Sequence, residues 1–249
     1  MKDCLAFAIF GIQNRGEGGM SIRYMDTDHS DEAHNNLVQN SIVETHNVTK
    51  TYQQNDIKVH ALQDITLNID AGEFTVMVGP SGSGKTTLLN HIGALDVPTS
   101  GDIRISGQLL NDLSRSALTK LRLWKLGFIF QEYNLISVLT ALENVEYVML
   151  LQGITGNERR RRAEAILREV GLESMANRRP NELSGGQQQR VAVARAMVTQ
   201  PSIILADEPT GNLDSKNAEA VMQLLDLLHS EGATICMVTH DPRSAERAQ

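Results

Sequence analysis

Eight residues constrain this chain more than any others. Gly79-Pro80-Ser81-Gly82-Ser83-Gly84-Lys85-Thr86 follows directly on the apolar, β-prone run Phe74-Thr75-Val76-Met77-Val78 and directly precedes a helical pattern over residues 85–95. A strand that turns through glycines into a helix N-terminus aims successive backbone N–H groups, and the positive end of the helix dipole, at one point. That arrangement suits the oxygens of a nucleoside triphosphate. Lys85 has the reach for the β and γ phosphates, and the Thr86 hydroxyl is a ligand for magnesium. The phosphate-binding set is therefore read as Gly79, Pro80, Ser81, Gly82, Ser83, Gly84, Lys85, Thr86 and Thr87. A plain Gly-Ser surface turn would lack the strand before it and the helix after it.

A second strand ends in charge. Ile203-Ile204-Leu205-Ala206 runs into Asp207-Glu208, and a parallel sheet presents the C-terminal ends of its strands to a ligand. Asp207 is placed to hold the magnesium shell. Glu208, one residue on, orients or deprotonates the attacking water, because in-line phosphoryl transfer needs a placed nucleophile. Alone, such a pair more often starts a helix or faces solvent.

Around these motifs strands and helices alternate. Strands are expected at 42–44, 65–69, 74–78, 102–106, 126–130, 202–206 and 233–238, and helices at 85–95, 116–125, 141–152, 158–170, 185–198 and 217–229, two of them starting at Thr140 and Asn157. That order is α/β, with a largely parallel sheet between helices and a mainly helical lobe over about 132–198. Residues 13–41 lack apolar periodicity and are rich in Asn, Asp, Ser, His and Gly, so residues 1–41 read as a flexible extension before a domain spanning 42–249. His29 and His34 among nearby acidic residues read as a solvated tail rather than a metal cluster.

Composition narrows the function classes. A net charge of −7 argues against a general nucleic-acid partner. No run approaches the roughly 20 apolar residues needed to cross a bilayer, so a membrane role is peripheral. Residues 5–12 are apolar, but no small-residue cleavage site follows to make them an export signal. Cys4 and Cys236 do not suggest a disulfide framework, and Cys236 reads as a buried thiol. The basic run Arg159-Arg160-Arg161-Arg162 and the pair Arg178-Arg179 read as solvated faces.

Leu183-Ser184-Gly185-Gly186-Gln187 separates this chain from most phosphate-loop proteins. It resembles the signature of ABC nucleotide-binding domains, and Tyr52, Gln131, Asp214 and His240 fall in the order that family requires. The resemblance covers residues 42–240. It implies a P-loop NTPase fold with a small antiparallel β subdomain and a helical subdomain, and an ATPase working as a head-to-tail dimer of two copies. It also implies that Ser184, Gly185, Gly186, Gln187 and Asp214 contact the nucleotide held by the opposite copy. Tyr52 resembles the aromatic that stacks on adenine, Gln131 the glutamine that touches magnesium and water, and His240 the switch histidine at the γ-phosphate. With Lys85 and Glu208, His240 completes the implied catalytic set. Ser184 and Asp214 are also good helix N-caps in their own right.

Leu126-Gly127-Phe128-Ile129-Phe130-Gln131 and Leu142-Glu143-Asn144-Val145 resemble the subgroup serving lipoprotein release and macrolide export. That implies ATP and Mg2+ as ligands, transmembrane permease subunits as partners, and a place at the cytoplasmic face of the inner membrane. Two departures stand out: the extension before Ile42 is long, and Gln249 precedes the final strands usual in the family, so a shortened chain is expected. An ABC ATPase of nucleic-acid metabolism is the alternative. Its chromosome-type members need a long coiled coil for which the spacing from Lys85 to Ser184 leaves no room, and its ribosome-acting members carry two motor domains. A regulatory binder without catalysis would lack Glu208 or His240.

Overall fold

The computed structural model describes residues 8–13, 40–54 and 57–241. In chain order the elements are β1 (Ala8–Gln13), β2 (Ser41–Gln54), β3 (Ile57–Asp70), β4 (Glu73–Val78), α1 (Lys85–Ile92), β5 (Ser100–Ile105), β6 (Gln108–Leu109), α2 (Arg115–Lys125), β7 (Leu126–Phe130), α3 (Ala141–Leu151), α4 (Gly156–Glu169), α5 (Gly185–Met197), β8 (Ile203–Asp207), α6 (Ser215–Ser230) and β9 (Ile235–Thr239). They divide into two compact units, 1–118 with 232–249 and 119–231.

In the first unit β3, β2, β5 and β6 form an antiparallel sheet, the small β subdomain expected from the resemblance. Sequence patterning gave only short strands here, yet β2 and β3 run 14 residues each. The reason is that they pair through irregularities. Asn47 and Asp64 take positive φ values of 47° and 49°, and the register shifts between Thr45 and Val48. Such bulges add a residue to one strand and erase the alternation that marks a strand in sequence. Thr49 Oγ1 donates to Asp64 Oδ1 at 3.1 Å beside the irregularity.

β4 pairs in parallel with β9, Phe74 opposite Ile235 and Val78 opposite Thr239. Its other edge carries β1 in antiparallel register, from Ala8 opposite Val78 to Gln13 opposite Glu73. Residues 8–13 are therefore a strand rather than part of a flexible extension. An unpaired edge of β4 offers a row of N–H and C=O groups, and Ile9, Phe10 and Ile12 are β-prone enough to answer it. The rest of the expected extension, residues 1–7 and 14–39, lies outside the described residues, with Cys4, His29 and His34. Cys236 on β9 is fully buried, as expected, and burial followed by the charge of Glu73 pushes its thiol pKa up.

In the second unit β7 and β8 run parallel, Leu126 opposite Ile203 and Phe130 opposite Asp207. Helices α3, α4 and α5 close over a core that includes Val145, Met149, Leu167, Leu172 and Val191. Thr140 starts α3 as expected, with a reciprocal cap: its hydroxyl accepts from Glu143 N–H at 3.2 Å and its own N–H donates to Glu143 Oε2 at 2.8 Å. α4 starts two residues earlier than the pattern suggested, from Thr155. Its basic run is offset in part within the helix, Arg161 and Arg162 sharing Glu158 and Arg160 pairing with Glu164.

Candidate functional site

The parallel register between β4 and β9 gathers the site residues of the first unit. Since Val78 lies opposite Thr239, the residues that follow, Gly79 and His240, leave neighbouring strands at the same edge. Strand neighbours lie about 4.8 Å apart, so residues separated by 161 positions leave the sheet side by side. The phosphate loop then turns through Gly82 and Gly84, both at positive φ (81° and 93°). A side chain on Gly84 would also strike the carbonyl of Ala61, so two independent reasons require glycine there. Lys85 opens α1 and is 5% exposed. Its ammonium spans the loop, donating to Gly79 O at 2.7 Å, Pro80 O at 2.9 Å and Ser83 Oγ at 3.3 Å. A buried cation is thereby fixed inside a ring of backbone at a helix N-terminus, which is the electrostatics an anion requires.

Tyr52, near the end of β2, belongs to the same unit and is 43% exposed. Its hydroxyl donates to Asp96 Oδ2 at 2.8 Å and also interacts with the Thr87 side chain, beside the phosphate loop. Burial, and then the Asp96 carboxylate, raise its phenol pKa.

The second unit repeats the device. Phe130 lies opposite Asp207, so Gln131 and Glu208 leave β7 and β8 at one edge. Asp207 ends its strand half-buried, behind four fully buried apolar residues. Glu208 has φ 48°, an uncommon conformation for a side-chain-bearing residue. Its carbonyl is bonded by the N–H of Gly211 at 3.0 Å. Such conformations cost of order 1–3 kcal/mol and concentrate at functional sites. Gln131 is locked to the following loop in both directions: its Nε2 donates to Asn212 Oδ1 at 3.1 Å, and Asn212 Nδ2 donates to Gln131 O at 3.2 Å.

Ser184 caps α5 with its hydroxyl accepting from Gln187 N–H at 3.3 Å and its N–H donating to Gln187 Oε1 at 2.8 Å. Gly185 and Gly186 follow. A side chain on Gly186 would collide with that of Asn217, and one on Gly185 would come 2.7 Å from the Tyr133 hydroxyl. The glycines thus serve close packing as well as any exposed N–H. Asp214 caps α6, Oδ1 accepting from Asn217 N–H at 2.9 Å and Oδ2 from Asn217 Nδ2 at 2.6 Å. These bonds, the backbone one foremost, lower its pKa.

Three residues that sequence reasoning passed over hold this unit's loops. Gln189, fully buried on α5, donates to Pro209 O at 2.6 Å and to Phe130 O at 3.3 Å. Arg195 donates to the carbonyls of Tyr133 and Asn134, two consecutive residues at positive φ, and burial lowers its pKa. Asn217 links the cap of α6 to Gly186. The available signal was modest: polar side chains inside a helix of otherwise buried Val and Ala.

A family model described as ABC transporter matches residues 62–211, a span that takes in the loop, its lysine, the capped Gly-Gly helix and the carboxylate-ended strand. The chain belongs to the ABC transporter family. It is 53% identical over 205 residues to an ABC transporter ATP-binding protein of Methanocaldococcus jannaschii, covering 80% of this chain and 87% of that one. It is 49% identical over 208 residues to the macrolide export ATP-binding/permease protein MacB of Mannheimia succiniciproducens. That match covers 84% of this chain and 32% of MacB, so the cassette spans about a third of that relative's length. A solved dimeric ATP-binding cassette in a post-hydrolysis state, bound to ADP and Pi, shares 51% identity and a TM-score of 0.75, covering 82% of this chain and 90% of its own.

The oxygens offered by Thr86, Gln131 and Asp207 are a hydroxyl, an amide and a carboxylate, the hard donors that magnesium selects. Among the described residues no group of three His, Cys, Asp or Glu gathers. Among the described residues no helix is long and apolar enough to cross a membrane.

Proposed function

We propose that this chain hydrolyses ATP as one of a pair of cassettes and that the cycle of pairing and release drives a membrane permease. The observation that carries the reading is the pair of parallel registers, Val78 with Thr239 and Phe130 with Asp207, which deliver the phosphate loop and His240 to one strand edge and Gln131 and Glu208 to another. Lys85 and the backbone N–H groups of residues 79–87, apart from Pro80, which has none, bind the β and γ phosphates. Glu208 orients the attacking water and takes its proton, and His240 contacts the γ-phosphate. Thr86, Asp207 and Gln131 hold Mg2+, which when bound neutralises charge on the phosphates. Tyr52 stacks on the adenine.

Ser184, Gly185, Gly186, Gln187 and Asp214 act on the nucleotide held by the second copy. The dimeric form of the solved relative supports this arrangement. The MacB relative joins cassette and permease in one protein, which supports permease subunits as partners and the cytoplasmic face of the inner membrane as the place of work. Macrolide export or lipoprotein release is the proposed class of task. An ABC ATPase of nucleic-acid metabolism is not favoured, given these relatives and the net charge of −7.

Complementation tests the pairing. Lys85→Ala removes the phosphate clamp and Ser184→Ala removes a group offered in trans, so each homodimer should turn over slowly. In a one-to-one mixture, roughly a quarter of the sites should combine a working loop with a working Ser184, since random pairing is half hybrid and each hybrid has one good site. No recovery from two folded variants would remove the support for trans completion.

A further inference from the structure

Tyr52 is an exposed aromatic on a strand, and such a ring ordinarily moves among its staggered rotamers. Here it is held by two residues of its own unit, Lys50 and Asp96. Lys50, two positions earlier and therefore on the same face of β2, places its ammonium 4.9 Å from the ring centroid. The Tyr52 hydroxyl donates to Asp96 Oδ2 at 2.8 Å, and Lys50 Nζ donates to Asp96 Oδ1 at 2.8 Å and to Val97 O at 2.7 Å. One carboxylate thus holds both the rim of the ring and the cation that covers one of its faces.

Asp96 is itself fixed. The N–H of Val97 donates to its Oδ1 at 2.7 Å, and the turn before it is closed by Leu95 N–H on Asn90 O at 2.9 Å. That turn follows α1 directly, the helix whose first residues are Lys85 and Thr86. Downstream, Thr99 N–H donates to Thr49 O at 2.8 Å and Thr51 N–H to Thr99 Oγ1 at 3.0 Å, so the segment lies along β2 on both sides of Lys50. The position of the phenol ring is therefore referred to the helix that carries the phosphate loop. With Lys50 over one ring face, the opposite face is the one left for a base, and the carboxylate offsets the lysine's charge beside it.

We propose that Asp96, acting through Lys50 and the Tyr52 hydroxyl, is a positioning residue that sets the Tyr52 ring at a fixed reach from the phosphate loop and so adds selectivity for an adenine-bearing triphosphate over the bare triphosphate chain. This rests on the reading of Tyr52 as the adenine platform. An ion pair that merely fastened the turn to β2 would need neither the second oxygen on the phenol nor the ammonium over the ring.

The test measures affinity of the full-length chain for ATP and for inorganic tripolyphosphate, by calorimetry in EDTA to prevent turnover, alongside KM and kcat with Mg-ATP. Asp96→Ala should weaken ATP about 3- to 10-fold, the scale of one lost hydrogen bond, raise KM similarly, leave kcat within about two-fold and leave tripolyphosphate unchanged. Tyr52→Phe, which keeps the Asp96–Lys50 arm, should show part of the same loss, and the double variant should be no worse than Asp96→Ala. Asp96→Asn, whose amide oxygen still accepts from the phenol, should recover part of the loss. Equal weakening toward ATP and tripolyphosphate would mean damage to the loop and overturn the proposal. If Tyr52→Ala weakens ATP while Asp96→Ala does not, the platform stands and the positioning role falls. Should Tyr52→Ala also leave ATP binding intact, the platform reading fails first and takes this inference with it.

Discussion

The phosphate loop of the first unit and the loops beyond β7 and β8 in the second both end parallel strands, but they are held in different ways. Lys85 donates to Gly79, Pro80 and Ser83, all within six residues. Gln189, by contrast, reaches Pro209 across 20 residues and Phe130 across 59, and Arg195 reaches Tyr133 across 62. A loop that folds on itself is set by its own glycines. One held from a helix depends on the helix arriving first, and so is the better place to look for motion coupled to a partner.

The largest expected effect separates chemistry from this scaffolding. If the main chain and Gln189 anchor the turn after β8, Glu208→Gln should leave the melting temperature and ATP affinity near those of the unaltered chain. Phosphate release should fall about 10²- to 10⁴-fold, the usual cost of an acid-base group. Loss of folding in that variant would show instead that the carboxylate is part of the scaffold, and unchanged turnover would remove it from the mechanism. Next in size, Gln189→Ala takes this donor from the buried Pro209 carbonyl and leaves Phe130 O with the N–H of Tyr133, and should cost about 1–3 kcal/mol in denaturant unfolding. It should also lower turnover with little change in nucleotide affinity. A variant as stable and active as the parent would erase the contrast between the units.

The smallest effect is electrostatic. Burial disfavours the Asp96 carboxylate, but hydrogen bonds from Lys50, Tyr52 and Val97 outweigh it and hold its pKa at about 2, below the ordinary 3.8. A depressed folded-state pKa means the unfolded chain takes up the proton first, so the stabilisation is complete above about pH 4 and is lost as pH falls toward 2. The gap in melting temperature between the parent and Asp96→Asn should therefore be flat through neutral pH and close in acid. Asp96 retains 35% side-chain exposure, so solvent screening keeps the effect small. A gap that persists unchanged in acid would sink the assignment.

Much of the frame was legible because its determinants are local. Gly79 to Thr86 declared a strand-loop-helix junction by spacing alone, and Thr140, Ser184 and Asp214 each cap the helix expected of them. Less was legible where pairing crosses distance. The lengths of β2 and β3 were hidden by the bulges at Asn47 and Asp64, and β1 by its dependence on an open edge 64 residues away in the pairing of Gly11 with Thr75. The backbone of Glu208 at φ 48° gives no sign in sequence, since glutamate carries no preference for that conformation.

By itself, then, the order of amino acids determined the strand-loop-helix junction at Gly79 to Thr86 and the caps of α3, α5 and α6, since glycine dihedrals and side-chain caps act within a few bonds of their own backbone. Only tertiary structure decided which distant groups stand beside them: His240 next to the loop through strand register, Asp96 under the hydroxyl of Tyr52, Gln189 beneath the turn after β8. Hydrogen bonds between segments far apart in the chain become favourable only after the core has met the entropy of bringing those segments together, and no short window of sequence contains that term.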